Sequence, residues 1–198
     1  MIITIGRQHG SNGQQIAKAL AARLNIPCYG KEIIETAAES SGYSREVLKS
    51  LDEKKVASYF TSSPYHFGIS TGFNLNMQMI AAQFDAVREL AEKGDCIFLG
   101  RCADYILRKR PDLVKIYIMG DEEKRIKVLS ERKNIDENTA AKLMKEVDKD
   151  RASYYRYYTD QTWGEAGNYD LCIDSLDIGI EGTVDVIELY AKTKLNNT

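Results

Sequence analysis

The sequence predicts an α/β fold in three layers, a five-stranded parallel sheet with helices on both faces. Two observations carry this. Five short apolar runs show no polar–apolar alternation, the pattern of strands buried on both faces. Stretches of helical periodicity separate them. A third observation locates the business end. Residues 1–20 read as a strand, a glycine turn and a helix start.

The first strand is expected at Ile2–Ile5, an apolar run rich in β-branched residues. Gly6, Gly10 and Gly13 punctuate the turn, and Ile16, Ala17, Leu20, Ala21 and Leu24 then recur at helical spacing across Gly13–Leu24. Ile26–Tyr29 is the second strand, followed by helices at Lys31–Ser40 and Ser44–Leu51. Tyr59 to Gly72 breaks the pattern with aromatics, Ser, Thr, Gly and Pro64 in no clear period. It suits a flap over a site, an irregular surface loop or an interface that would make the chain a homo-oligomer. Asn74–Lys93 is a long helix closed by Gly94, and Cys96–Leu99 is the third strand. Val114–Met119 is the fourth. Asp121-Glu122-Glu123 puts acids in the first turn of the next helix, which runs to Glu131. Asp136 or Glu137 opens a helix to Tyr158, Tyr169–Ile173 is the last strand, and Ile180–Lys194 the last helix. The chain, 1–198, reads as one domain with excursions at about 30–93 and about 131–165.

With 43% hydrophobic and 28% charged residues, the composition is that of an ordinary globular protein. A formal charge of -2 argues against a general nucleic-acid surface. No apolar run reaches the length of a membrane span, and the N-terminus lacks a basic region with a cleavage site, so a cytoplasmic location is expected. Cys28, Cys96 and Cys172 sit in apolar runs as buried thiols, and Cys102 reads as a small residue in a turn in preference to a nucleophile. Two histidines, His9 and His66, give little material for a metal site or a serine triad, so no metal-ligating set is expected. Catalysis has to come from Arg, Lys, Asp and Glu.

Strand, glycine turn and helix N-terminus together form an anion cradle, where backbone N–H groups and the helix dipole favour phosphate. The turn departs from the P-loop pattern G-x-x-x-x-G-K-[ST]: no Lys follows Gly13 and no Ser or Thr follows that. Arg7, at the mouth of the turn, can replace the missing charge, gripping phosphate as a fork. A surface arginine paired with a carboxylate is the bland alternative, and it leaves the turn without a purpose. Gly100-Arg101-Cys102-Ala103-Asp104 stands at the carboxyl end of the third strand, where open α/β sheets collect ligands. Arg101 suits a phosphate or base edge and Asp104 a ribose, base or metal ion; an Arg–Asp pair capping the next helix is the alternative. Arg151 and Arg156, at the end of the long helix, can close over a transferring phosphoryl group. Arg125 and Arg132 can join them or lie on a solvated face. The tyrosines around 154–158 read as packing, and Trp163 as an anchor.

The motifs G-R-Q-x-G-S-x-G-x-x-I-A, F-L-G-R-C-A-D-Y-I-L and D-x-x-R-x-x-Y-Y-R-Y-Y, followed by W-G and N-Y-D-L-C-I-D-S, resemble the cytidylate kinase-like family. That family is a branch of the P-loop nucleoside monophosphate kinases. The resemblance implies a P-loop kinase-like fold with a small helical lid, ATP and Mg2+ as cofactors, and CMP or dCMP as acceptor. By position, Gly6, Gly10, Ser11, Asn12, Gly13, Gln14 and Gln15 would hold the donor phosphates. Gly13 falls where relatives have the lysine, and Gln15 where they have the Mg2+-binding Ser or Thr. Ser11 is left to seat Mg2+. Lys31, Arg101 and Asp104 would hold the acceptor, with Asp104 displaced from the usual Gly-Arg-Asp and Gly30 where an Asp is common. Arg7, Arg151 and Arg156 would carry catalysis. The altered turn keeps two other readings open: a nucleotide-binding sensor or interaction module without transfer activity, and a kinase of another small molecule.

Overall fold

A computed structural model of the chain describes residues 1–30, 32–42 and 70–196. Its strands are β1 (Ile2–Arg7), β2 (Cys28–Tyr29), β3 (Cys96–Leu99), β4 (Leu113–Met119) and β5 (Leu171–Asp174). The described helices are α1 (Gly13–Leu24), α2 (Glu32–Ser41), α3 (Ser70–Glu92), α4 (Ala103–Ile106), α5 (Glu122–Lys133), α6 (Glu137–Thr159) and α7 (Ser175–Asn196). The expected helix Ser44–Leu51, most of the Tyr59–Gly72 segment and Lys31 lie outside the described residues.

The five strands are parallel and ordered β2-β3-β1-β4-β5. Ile2 to Ile5 pair with Cys96 to Leu99 on one side and with Leu113 to Ile116 on the other. The period-2 alternation of a strand then sorts side chains into two cores. Ile3, Ile5, Ile97, Val114, Ile116 and Ile118 face α1 and α7, meeting Ile16, Leu20, Val184 and Ile187. Ile2, Cys96, Phe98 and Leu113 face the other way, against Ile33 of α2, Ile80, Val87 and Leu90 of α3, and Leu107 beyond α4. Both faces of the sheet are therefore dry, as the unalternated runs require. The connection leaving β1 runs to one side and that leaving β3 crosses to the other, so the carboxyl ends of β1 and β3 flank the switch point where such sheets bind ligands.

Element boundaries shift for identifiable reasons. β2 loses Ile26 and Pro27 because proline has no N–H to donate, although the Pro27 carbonyl still accepts from the Ile97 N–H at 2.9 Å. β5 starts at Leu171 because Tyr169 caps a 3-10 turn at Ala166–Asn168. α7 starts five residues early because Asp174 accepts from the Leu176 N–H at 2.9 Å; the helix then breaks at Gly179, φ 73°, just before the expected start. Asp121 and Asp136 cap α5 and α6, accepting from the N–H groups of Lys124 and Thr139.

Candidate active site

The turn after β1 is held by its own side chains and by its neighbours. Gly10 adopts φ +88°, and a Cβ there would come 2.8 Å from the Arg125 carbonyl oxygen, so only glycine lets α5 approach this closely. Gln8 Oε1 accepts from the Gly120 N–H at 3.0 Å. The Ser11 hydroxyl is buried and donates to the carbonyls of Gln8 (2.9 Å) and Ile118 (3.3 Å), while the Ser175 hydroxyl donates to the Ser11 carbonyl at 2.6 Å. Asn12, in the left-handed region at φ 56°, precedes α1 without giving it a side-chain cap. The helix therefore presents its first turn and its dipole to an anion from outside.

Gly13 leaves no room for a side chain at the start of α1. A Cβ on Gly13 would lie 2.6 Å from the Cβ of Arg7 and 2.8 Å from its Cγ. The Arg7 stem thus fills the volume that a side chain at position 13 would need. Arg132, at the end of α5, meets the same helix start: its guanidinium bonds the Asn12 side-chain oxygen, and the Gln15 amide oxygen accepts from it at 3.2 and 3.3 Å.

Across the switch point, Gly100 (φ 78°), Arg101 (φ 61°) and Cys102 (φ 54°) form three successive left-handed residues at the end of β3. Two of them are not glycine, so the turn stores strain of the kind that collects at functional sites. The turn buries Arg101 and makes a long 3.5 Å contact from its Nη1 to Gln83 on α3. It also starts α4, a helix the sequence reading missed because it is a single turn with no period of its own. Asp104 on α4 accepts from the Tyr155 hydroxyl at 2.7 Å, and that hydroxyl also lies 3.0 Å from Gln161 Oε1. Tyr154 and Tyr155 pack with Cys102, so the tyrosine cluster is packing, and Trp163 sits edge-on to Tyr117 at 5.5 Å as an anchor.

A small cleft joins these groups; its wall includes Gly6, Arg7, Arg101, Asp104, Arg151 and Tyr155. Arg151 Nη1 donates to the Arg7 carbonyl at 3.0 Å, tying α6 to the end of β1. Arg156 is not in this wall. It is exposed, because five residues along a helix turn it about 140° away from Arg151. Sequence reasoning also gave no role to Asp148, which accepts from the His9 N–H at 2.7 Å and from Arg125 at 2.6 Å. The available signal was its place one helical turn before Arg151.

Burial is the largest influence on Asp104 and raises its pKa; the Tyr155 hydrogen bond works against it. A carboxyl with a raised folded-state pKa supports folding when protonated, and that support is lost as pH rises through the folded value. Asp104→Asn keeps an acceptor for Tyr155 and cannot ionise. Its Tm is expected to exceed that of the wild type at pH 7 to 8, with the gap closing toward about pH 4, the ordinary aspartate range. A gap independent of pH would refute the assignment. Cys96 is buried as expected, whereas Cys28 and Cys172 are half-buried; burial pushes the Cys28 thiol up to about 11 and Cys96 to about 12, which keeps both protonated.

The residues present fit phosphates: a helix N-terminus without a side-chain cap, flanked by Arg7 and Arg132, with Arg125 and Arg151 beside the same turn. They do not fit a magnesium seat. Ser11, expected to serve as one, is fully buried with its O–H turned toward the carbonyls of Gln8 and Ile118 beneath the turn, and Gln15 is engaged by Arg132. Among the described residues no three His, Cys, Asp or Glu side chains cluster for a metal.

The model of the cytidylate kinase-like family matches residues 2–177. The chain belongs to the cytidylate kinase-like family. The cytidylate kinase of Methanocaldococcus jannaschii is 27% identical over 192 residues, covering 94% of this chain and 95% of that protein. That of Methanococcus maripaludis is 28% identical over 206 residues, with 95% and 96% covered. Among solved structures, an uncharacterized protein from Eubacterium ventriosum superposes with a TM-score of 0.74 at 31% identity, covering 97% of this chain and 98% of that one. Shikimate kinase from Bacteroides thetaiotaomicron superposes at 0.55 with 12% identity, covering 97% and 98%, a likeness of fold alone. Family membership and the five-stranded parallel sheet thus agree with the kinase fold expected from the motifs. Among the described residues, no helix is long and apolar enough to cross a membrane.

Proposed function

We propose that this protein transfers a phosphoryl group from ATP to a nucleoside monophosphate, with CMP or dCMP as the acceptor. The single observation that carries the reading is the fit of the Arg7 stem over Gly13, which returns a cation to the turn that lacks its lysine. The turn and the start of α1 would receive the donor phosphates, with Arg7 and Arg132 neutralising them. The acceptor would lie in the cleft against Arg101, Asp104 and Tyr155. Arg151, which is tied to the carbonyl of Arg7, stands between the two halves and suits the transferring group. ATP supplies the phosphoryl group, and the protein positions it and screens its charge. The side chains of the turn offer no seat for Mg2+, so no step is assigned to it.

That same shortage supports a second reading, a nucleotide-binding protein without transfer activity. ADP release from ATP and Mg2+, measured against all ribo- and deoxyribonucleoside monophosphates, separates the two. Stimulation confined to CMP or dCMP is the expected result. ATP binding without stimulation by any acceptor would overturn the kinase reading and favour the second. Stimulation by a different monophosphate would overturn only the acceptor.

A further inference from the structure

The carboxylate of Asp148 does to the glycine turn what a phosphate oxygen would do. Its two oxygens accept from the His9 N–H (2.7 Å) and from Arg125 Nη1 (2.6 Å), and Arg151 Nη1 stands 3.9 Å from it. The same Arg125 nitrogen also donates to the His9 carbonyl at 3.2 Å. Asp148 comes from the middle of α6, whereas His9 belongs to the turn and Arg125 to α5, so one carboxylate fastens three segments at the edge of the phosphate site. It nevertheless leaves a donor over. Arg125 is buried, 7% exposed, and its Nε has no hydrogen-bond partner. A buried guanidinium with an unused N–H beside an anion cradle has unmet hydrogen-bonding capacity.

We propose that Asp148 is an internal stand-in for phosphate. It holds the turn and the two arginines in place, and it competes with a polyphosphate for the His9 N–H and for Arg125. Binding of a triphosphate chain at the turn displaces the carboxylate and transfers Arg125 and Arg151 to the incoming anion. The displacement also releases α6 from β1's turn, which couples donor binding to movement of the helix that carries Arg151. Asp148 is thus a positioning residue that acts through the turn and the arginines. The inference rests on the reading that the turn receives the donor phosphates.

Inorganic tripolyphosphate is the probe, because it tests the turn without requiring an acceptor or any turnover. Its affinity for wild type, Asp148→Asn and Asp148→Ser is measured by calorimetry, with unfolding followed in parallel. Asp148→Asn keeps an oxygen for the His9 N–H and removes the competing charge. Both variants are expected to have a lower Tm without ligand, since Arg125 loses its counter-charge. Both are also expected to bind tripolyphosphate about tenfold or more tightly than wild type, the effect of removing one like charge at close range. A purely structural role lowers Tm and leaves affinity equal or weaker. If wild type binds tripolyphosphate and neither variant binds it better, the stand-in is overturned and the proposed function survives. If no form binds tripolyphosphate or ATP, the phosphate turn itself is overturned, and both readings fall together. Should Asp148→Asn not fold, Asp148→Ser decides on the same criteria.

Discussion

Arg7→Ala is expected to lower kcat/KM for phosphoryl transfer by about 10²–10³-fold, the cost of removing one preorganised donor from a transition-state site. Two structural facts set this expectation. The Arg7 stem lies over Gly13, in the volume a residue at that helix start would fill, and Arg7 lines the cleft with Arg101 and Arg151. Its backbone is fixed independently of its side chain, since β1 pairs with β4 up to Arg7 and the Arg7 carbonyl accepts from Arg151. Loss of the guanidinium should therefore cost activity and leave the fold nearly intact. Arg7→Lys should recover part of the loss, because it restores the charge without the fork. Steady-state kinetics beside a thermal melt check this. Unchanged turnover in Arg7→Ala would remove Arg7 from the mechanism.

Gly13→Lys, which puts a lysine where the resemblance to the family implies one, is expected to abolish turnover and destabilise the protein by about 1–3 kcal/mol, the usual cost of overpacking. A Cβ at 2.6 and 2.8 Å from Arg7 meets the base of that side chain, which cannot swing away as a flexible end can. In an Arg7→Gly background the clash disappears and the lysine has the space to itself. The double variant should exceed either single one at least tenfold in kcat/KM, about 1.4 kcal/mol or more of transition-state stabilisation over the better single variant, whereas independent positions would give the summed losses. Additive losses would show that the two positions do not share one cation site. This cycle distinguishes a relocated cation from a degraded turn more sharply than either single change.

The fold was largely legible because its signals are local and repeated. Buried strands must be apolar on both faces, and the runs around Ile3, Ile97 and Ile116 show that without any partner in view. Caps such as Asp121 and Asp136 act within three residues of their own position, so they too can be read directly. Boundaries failed where a single hydrogen bond decided them, as at Asp174 and Leu176. The candidate site was legible by region and less so by residue. Arg7, Arg101, Asp104 and Arg151 do line one cleft, and Lys31 lies outside the described residues. Arg156 lies exposed and off this cleft, a matter of helical phase that its spacing from Arg151 already contained.

By itself, then, the sequence determined the layered α/β fold, the glycine turn at a helix start and the set of arginines available to phosphate. Only the tertiary structure decided how those groups are shared. The Arg7–Gly13 contact depends on how closely α1 packs against the end of β1, the burial of the Ser11 hydroxyl on where β4 ends, and the role of Asp148 on a contact spanning 139 residues to His9. The physical reason is that secondary structure follows from near neighbours, whereas charge pairing follows from distance in space, which a sequence does not carry.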